Sequence, residues 1–123
     1  MTIHEAITRL DSLKHNTFTD EQKIAWLSEL DGRIRADFLD THEGGPEEPF
    51  TGYDSLTPRM TKLQVAFPDD GFYVPYLMAM VDYHNGEIEK YNNSSAVYRS
   101  HYNQFRCRYT RNHMPKGQQW KFQ

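Results

Sequence analysis

Histidine, cysteine and paired acids are the residue types in this chain suited to chemistry, and their spacing decides what they can do. The six histidines, His4, His15, His42, His84, His101 and His113, form no H-x-x-x-H or H-E-x-x-H pattern, and there is no second cysteine to pair with Cys107. A protein zinc site needs three or four such ligands converging on one point, so no metal and no cofactor are expected. Cys107 stands between Arg106 and Arg108, a setting that favours the thiolate where the sulfur is exposed. Its place inside a predicted helix points instead to an inert buried thiol. Acid pairs such as Asp20-Glu21 and Glu47-Glu48 fall at a helix start and in a loop, where capping and solvation account for them. The chain has neither a phosphate-binding glycine loop nor a G-x-S-x-G turn. No nucleophile, base and stabiliser can be assembled from these motifs, so the chain is not expected to be an enzyme.

The charge pattern says more about partners. All 17 acids lie at or before Glu89, whereas Lys90, Arg99, Arg106, Arg108, Arg111, Lys116 and Lys121 follow with no Asp or Glu among them. A formal net charge of −3 therefore conceals an acidic first part and a basic last part. Such asymmetry steers association without choosing a fold, and nucleic acid, an acidic protein surface or a second copy of the chain can each meet the basic end.

At 123 residues the chain is one domain by size, able to bury roughly 65% of its unfolded surface without a disulfide or metal. Eight tyrosines among the aromatics suit a contact-rich surface, because each ring packs while its hydroxyl seeks a polar partner. A single cysteine, no signal-peptide pattern and no apolar run near the roughly 20 residues of a membrane span predict a soluble protein made in a reducing cytoplasm, with no membrane partner.

The elements that position these residues read as all-α: a four-helix, bundle-like domain over 1–114, built from two antiparallel hairpins, with a long central loop at 44–68 and a tail at 115–123. Thr2 with Glu5 and Thr19 with Gln22 have capping-box spacing. Ile3, Ala6, Ile7, Leu10 and Leu13 make one stripe. Ile24, Leu27, Leu30, Ile34 and Phe38 make a second, predicted to end near His42 before Gly44, Gly45 and Pro46. Periodicity then disappears until Pro68, apart from the alternation Lys62-Leu63-Gln64-Val65, which suggests a short strand. Phe50 and Tyr53 lie within this loop as candidate interface residues; a flexible excursion and a partner-contacting arm are equally open. Pro46 to Thr57 is expected to be removable with helix content kept.

Asp69 or Asp70 is suited to cap a third helix running to Tyr91. Apolar spacing continues unbroken from Val74 to Tyr109, but one helix of that length would be about 60 Å long in a domain with a radius of gyration near 14 Å. Asn92-Asn93-Ser94-Ser95 favours a turn, so the break is placed there and helix 4 is predicted from about Ser94 to Asn112. Asn85-Gly86 then falls inside helix 3, where close approach by a neighbouring helix, or else a kink, would explain the glycine.

Helix 4 interleaves Arg99, Arg106 and Arg108 with Tyr98, Tyr102, Phe105 and Tyr109. Arginines neutralise phosphates and aromatic faces stack on bases, which makes a small nucleic-acid-binding protein using this helix the alternative reading. The aromatics share the helix-spaced stripe and are therefore assigned to the core, while the arginines are spread around the helix. Arg106 and Arg108, together with Trp120 and Phe122 of the otherwise polar tail, complete the candidate interface residues.

The run YLMAMVDYHNGEIEKYNNSSAVYRSHYNQFRCRYTRNHMPKG at 76–117, with DEQKIAWLSELDGRI at 20–34 and FTGYD at 50–54, resembles small proteins from the structural-gene cluster of tailed double-stranded DNA bacteriophages and prophages. The family it is similar to is the head-tail connector, or adaptor, proteins. The resemblance implies a helical structural subunit with no active-site residues, forming a homo-oligomeric ring beneath the portal in the virion neck after synthesis in the host cytoplasm. Its implied partners are itself, the portal protein and the next tail-side component, with double-stranded DNA passing only transiently through the channel.

Overall fold

The computed structural model describes residues 1–116, which places Trp120 and Phe122 of the predicted tail outside the described residues. The chain is all-α. Helix α1 spans Ile3–Leu13, α2 Asp20–Ile34, α3 Tyr73–His84 and α4 Ile88–Asn112, and a π turn at Arg35–Leu39 extends α2. Both predicted caps form: Thr2 Oγ1 accepts the Glu5 amide at 3.1 Å, and Thr19 Oγ1 accepts the Gln22 amide at 3.2 Å. Two further amides at the start of α1 are taken by the central loop, Ile3 N–H donating to the Thr61 carbonyl and His4 N–H to that of Arg59. A helix start leaves four such donors, so this crossing satisfies groups that capping cannot.

Ile3, Ala6, Ile7 and Leu10 are buried as their spacing predicts, together with Ile24, Leu27, Leu30 and Ile34 of α2. Leu13 departs from the expected stripe and lies exposed at the end of α1, as does Ile88 at the start of α4. Leu63 and Val65 alternate inward, yet the predicted strand is absent: Lys62 makes a single bridge to Thr2, leaving no ladder to extend.

The break between α3 and α4 lies earlier than predicted. Residues 92–95 are helical, and the chain turns at Asn85–Glu87 instead. Gly86 has φ +73°, Gly86 N–H donates to the Tyr83 carbonyl and Glu87 N–H to that of Asp82. This is the paired bonding of a Schellman cap, which needs a left-handed residue at that position. Nothing lies within 4 Å of where a Gly86 side chain would begin, so backbone conformation and not close helix approach accounts for the glycine. Ser94, predicted to help break the helix, donates its hydroxyl to Asp82 at 2.9 Å. Ring contacts of Tyr83 with Tyr91, Tyr76 with Tyr98 and Phe72 with Phe105 show α3 and α4 running antiparallel.

The cap assigned to α3 is also corrected. Phe72 is the N-cap and makes no side-chain cap bond; the Asp70 carboxylate accepts the Met1 amino group at 3.0 Å, and Asp69 pairs with Arg108 at 2.9 Å. Both acids are used across the domain.

Candidate functional site

The second stripe holds a charge. Asp31 lies four residues after Leu27 and three before Ile34, and is fully buried. Its carboxylate accepts the Tyr53 hydroxyl at 2.6 Å, the Tyr73 hydroxyl at 2.6 Å and the Gln64 amide at 3.1 Å. Tyr73 Oη in turn accepts the Val65 amide at 3.0 Å. A carboxylate with three donors at these short distances is a charge-assisted hub, which is how a buried charge is tolerated. Burial raises the Asp31 pKa above its ordinary value, against the opposing effect of hydrogen bonds from Tyr53 and Tyr73. Both tyrosines are pushed upward, first by burial and then by the neighbouring Asp31 charge, so they act as donors at any physiological pH.

One helical turn later, Arg35 is buried and each of its three guanidinium nitrogens has an acceptor. Nε donates to Asp40 at 2.9 Å, Nη1 to Gln64 Oε1 at 3.0 Å and Nη2 to the Glu48 carbonyl. The Phe50 ring lies 5.8 Å from the guanidinium and packs edge-on against Tyr53 at 5.1 Å. Asp31 and Arg35 thus tie the central loop to α2 and its π turn. The Tyr53 amide also donates to Ser28 Oγ at 2.9 Å, and Gly52, at φ +88°, passes so close to that hydroxyl that a Cβ would lie 2.9 Å from it. These contacts overturn the expectation that Pro46 to Thr57 is separable from the helical core.

Beyond Arg35 the loop forms a cleft of about 580 Å³, lined by Asp40, Glu43, Glu47 and Glu48, with Arg35 and Lys116 as its cations. Its floor is held by close packing at Gly45, where a side chain would overlap the Leu39 carbonyl oxygen and reach within 3.4 Å of Tyr109 Oη. The α4 end is fastened to the same region by Glu43 N–H donating to the Met114 carbonyl and by the His42 to Pro115 bridge.

The four candidate interface residues among the described ones do not converge. Phe50 and Tyr53 are half-buried against α2, whereas Arg106 and Arg108 are exposed on different sides of α4. Arg106 sits over the Phe38 ring at 5.0 Å, and Arg108 is committed to Asp69. Tyr98, Tyr102, Phe105 and Tyr109 face inward as predicted, in a continuous aromatic seam with Phe72 and Tyr76. Cys107 is exposed, contrary to the buried thiol expected from its place in a helix, because it points away from that seam.

Sequence reasoning missed Asp31, Arg35 and two further buried charges. Lys23 reaches Asp11 at 2.7 Å, and Asp82 accepts Lys14 at 2.7 Å as well as Ser94. The signal available was position: Asp31 occupies an apolar register, and such a residue needs local donors. Among the described residues no group of His, Cys, Asp and Glu is arranged to hold a metal, and no helix is long and apolar enough to cross a membrane.

No protein-family model, curated protein or solved structure matches this chain.

Proposed function

We propose that the chain is a structural subunit of a phage neck: a head-tail connector, or adaptor, that assembles as a ring beneath the portal and meets a tail-side component on its other face. The observation that carries this reading is the separation of two charged surfaces on one small helical unit. An acid-lined cleft at residues 40–49 packs beside the inward side of α4 at Tyr109, whereas the outward side of that helix has no acid after Glu89. A surface with one sign of charge at one place and the opposite sign at another favours repeated contact between copies, and a heterologous contact that closes generates a ring. Under this reading the protein turns over no substrate and needs no cofactor, and DNA is a passenger in the channel. Its place is the virion neck.

The test is solution size with and without the portal. Native mass spectrometry at low salt is expected to show closed oligomers, or oligomers that form when portal rings are added. A protein that stays monomeric under both conditions and does not co-sediment with portal rings overturns the reading. Tight binding of short DNA duplexes by the monomer would instead favour the regulator class.

A further inference from the structure

Resting on the ring reading, we infer that the outward face of α4 is the surface that enters the acid-lined cleft of a neighbouring copy. α4 packs inward through Ser95, Tyr98, Tyr102 and Phe105, and leaves Arg99, Asn103, Arg106, Cys107, Thr110 and Arg111 exposed. Arg108 has an in-chain carboxylate in Asp69. Arg99 instead donates to Ser95 Oγ at 2.8 Å and Arg106 rests on Phe38. Among the described residues no carboxylate lies within ion-pair distance of Arg99, Arg106 or Arg111.

The cleft has the matching surplus. Asp40 is neutralised by Arg35, whereas Glu43, Glu47 and Glu48 have no cation within ion-pair distance among the described residues. Arg106 and Arg111 therefore line one surface with Asn103, Cys107 and Thr110, with Arg99 about two turns earlier on the same helix. On the other surface Glu43, Glu47 and Glu48 outnumber Lys116, the cleft cation with no ion pair among the described residues. Arg99 to Arg111 spans about 18 Å at 1.5 Å per residue. The two surfaces also point differently. The cleft's Gly45 lies against the inward hydroxyl of Tyr109, while Cys107 and Arg111 are turned about 200° from Phe105 and Tyr109, respectively, by helical geometry. Contact between them is accordingly head to tail, so each copy keeps one surface open for the next. Duplex phosphates also attract arginine, but three charges interleaved with Asn103, Gln104 and Thr110 make a sparse track for a polyanion.

A charge swap tests the contact. One variant carries Arg106→Glu with Arg111→Glu, the other Glu43→Lys with Glu47→Lys; none of these side chains has an ion pair among the described residues. Circular dichroism should match wild type for both, and Arg106→Gln with Arg111→Gln serves if the first variant loses helix. In sedimentation at low salt, with the portal ring added if wild type requires it, each variant alone should associate at least about tenfold more weakly than wild type. An equal mixture should recover assembly beyond the dimer, because every acid surface then meets a basic one.

Variants that assemble like wild type, or a mixture that stays as weak as its components, would overturn this contact while leaving the ring reading standing. Wild type that is monomeric with and without the portal sinks both. Duplex DNA that binds wild type at low salt, with binding lost in the arginine variant and no recovery of assembly on mixing, would assign the face to nucleic acid instead.

Discussion

Tyr53 donates its hydroxyl to the buried Asp31 carboxylate at 2.6 Å, and this one bond joins the central loop to the last turn of α2. Removing the hydroxyl leaves a buried carboxylate with two donors instead of three. Tyr53→Phe is expected to lower stability by about 1–3 kcal/mol, the usual cost of taking a partner from a buried polar group. Urea unfolding measures that loss, and limited proteolysis should show cleavage within 44–60 appearing before cleavage in the helices. A variant as stable and as resistant as wild type would mean that the loop is held by other contacts.

Asp31 also gives stability a pH dependence of definite sign. Its folded pKa is raised above the ordinary 3.8 by burial, so the folded state holds this proton more tightly than the unfolded chain does. The contribution is complete below 3.8 and is lost as pH rises through the folded value. Asp11 has the opposite trend: partial burial works against its ionisation, but hydrogen bonds from Lys23 and Asn16 hold its pKa below the ordinary value. That stabilisation is lost as pH falls.

Asp31→Asn isolates the first effect. The amide supplies one acceptor where the carboxylate supplies two, so a tyrosine hydroxyl loses its acceptor and the variant should be less stable by about 1–3 kcal/mol. Its deficit relative to wild type should shrink as pH rises from about 4. A deficit that grows with pH in urea titrations would show that the Asp31 pKa is depressed in the fold.

The two glycines that shape the turns separate by mechanism. Gly86 is left-handed with open space around it, so Gly86→Ala should cost about 1 kcal/mol from backbone conformation alone, and Gly86→Asn less. At Gly45 a methyl group would overlap the Leu39 carbonyl oxygen, which belongs to the π turn and has little room to move. Gly45→Ala should therefore cost more than Gly86→Ala in thermal or urea unfolding. Equal effects at the two sites would contradict the close packing of the cleft floor.

What the sequence made legible follows from what its signals encode. Thr2 and Thr19 were readable as caps because capping is local, and the α1 and α2 stripes because helical periodicity survives in any context. The site of the α3 to α4 turn was not. Asn92 to Ser95 carries strong turn composition, but Ser94 is bound to Asp82 and Ser95 is buried, both through tertiary contacts. Asn85-Gly86 was the weaker-looking signal, and its capping bonds end α3. The candidate site was least legible of all. Asp31, Tyr53 and Tyr73 are 22 and 42 residues apart in the bonds that join them, and no spacing rule links them. Phe50 and Tyr53 were identifiable as loop aromatics, yet only the fold shows that they anchor the loop on α2.

The Lys14 to Asp82 pair fastens the end of α1 to α3, while Ser94 ties the same carboxylate to α4. Asp82 is fully buried and Lys14 mostly so, which makes the two possible truncations unequal. Lys14→Met strands a buried carboxylate with a hydroxyl as its remaining side-chain partner, and is expected to cost about 3–5 kcal/mol. Replacing both residues, Lys14→Met with Asp82→Leu, removes the stranded charge and should recover a large part of that loss, because a buried ion pair often contributes little over apolar packing. A double-mutant cycle in urea gives the coupling directly. If Lys14→Met costs under about 1 kcal/mol, Asp82 is reached by water and the pair behaves as a surface contact. If the double variant is no better than the single, packing around Ser94 depends on the carboxylate itself, and the junction of α1, α3 and α4 is held by that hydrogen bond rather than by charge.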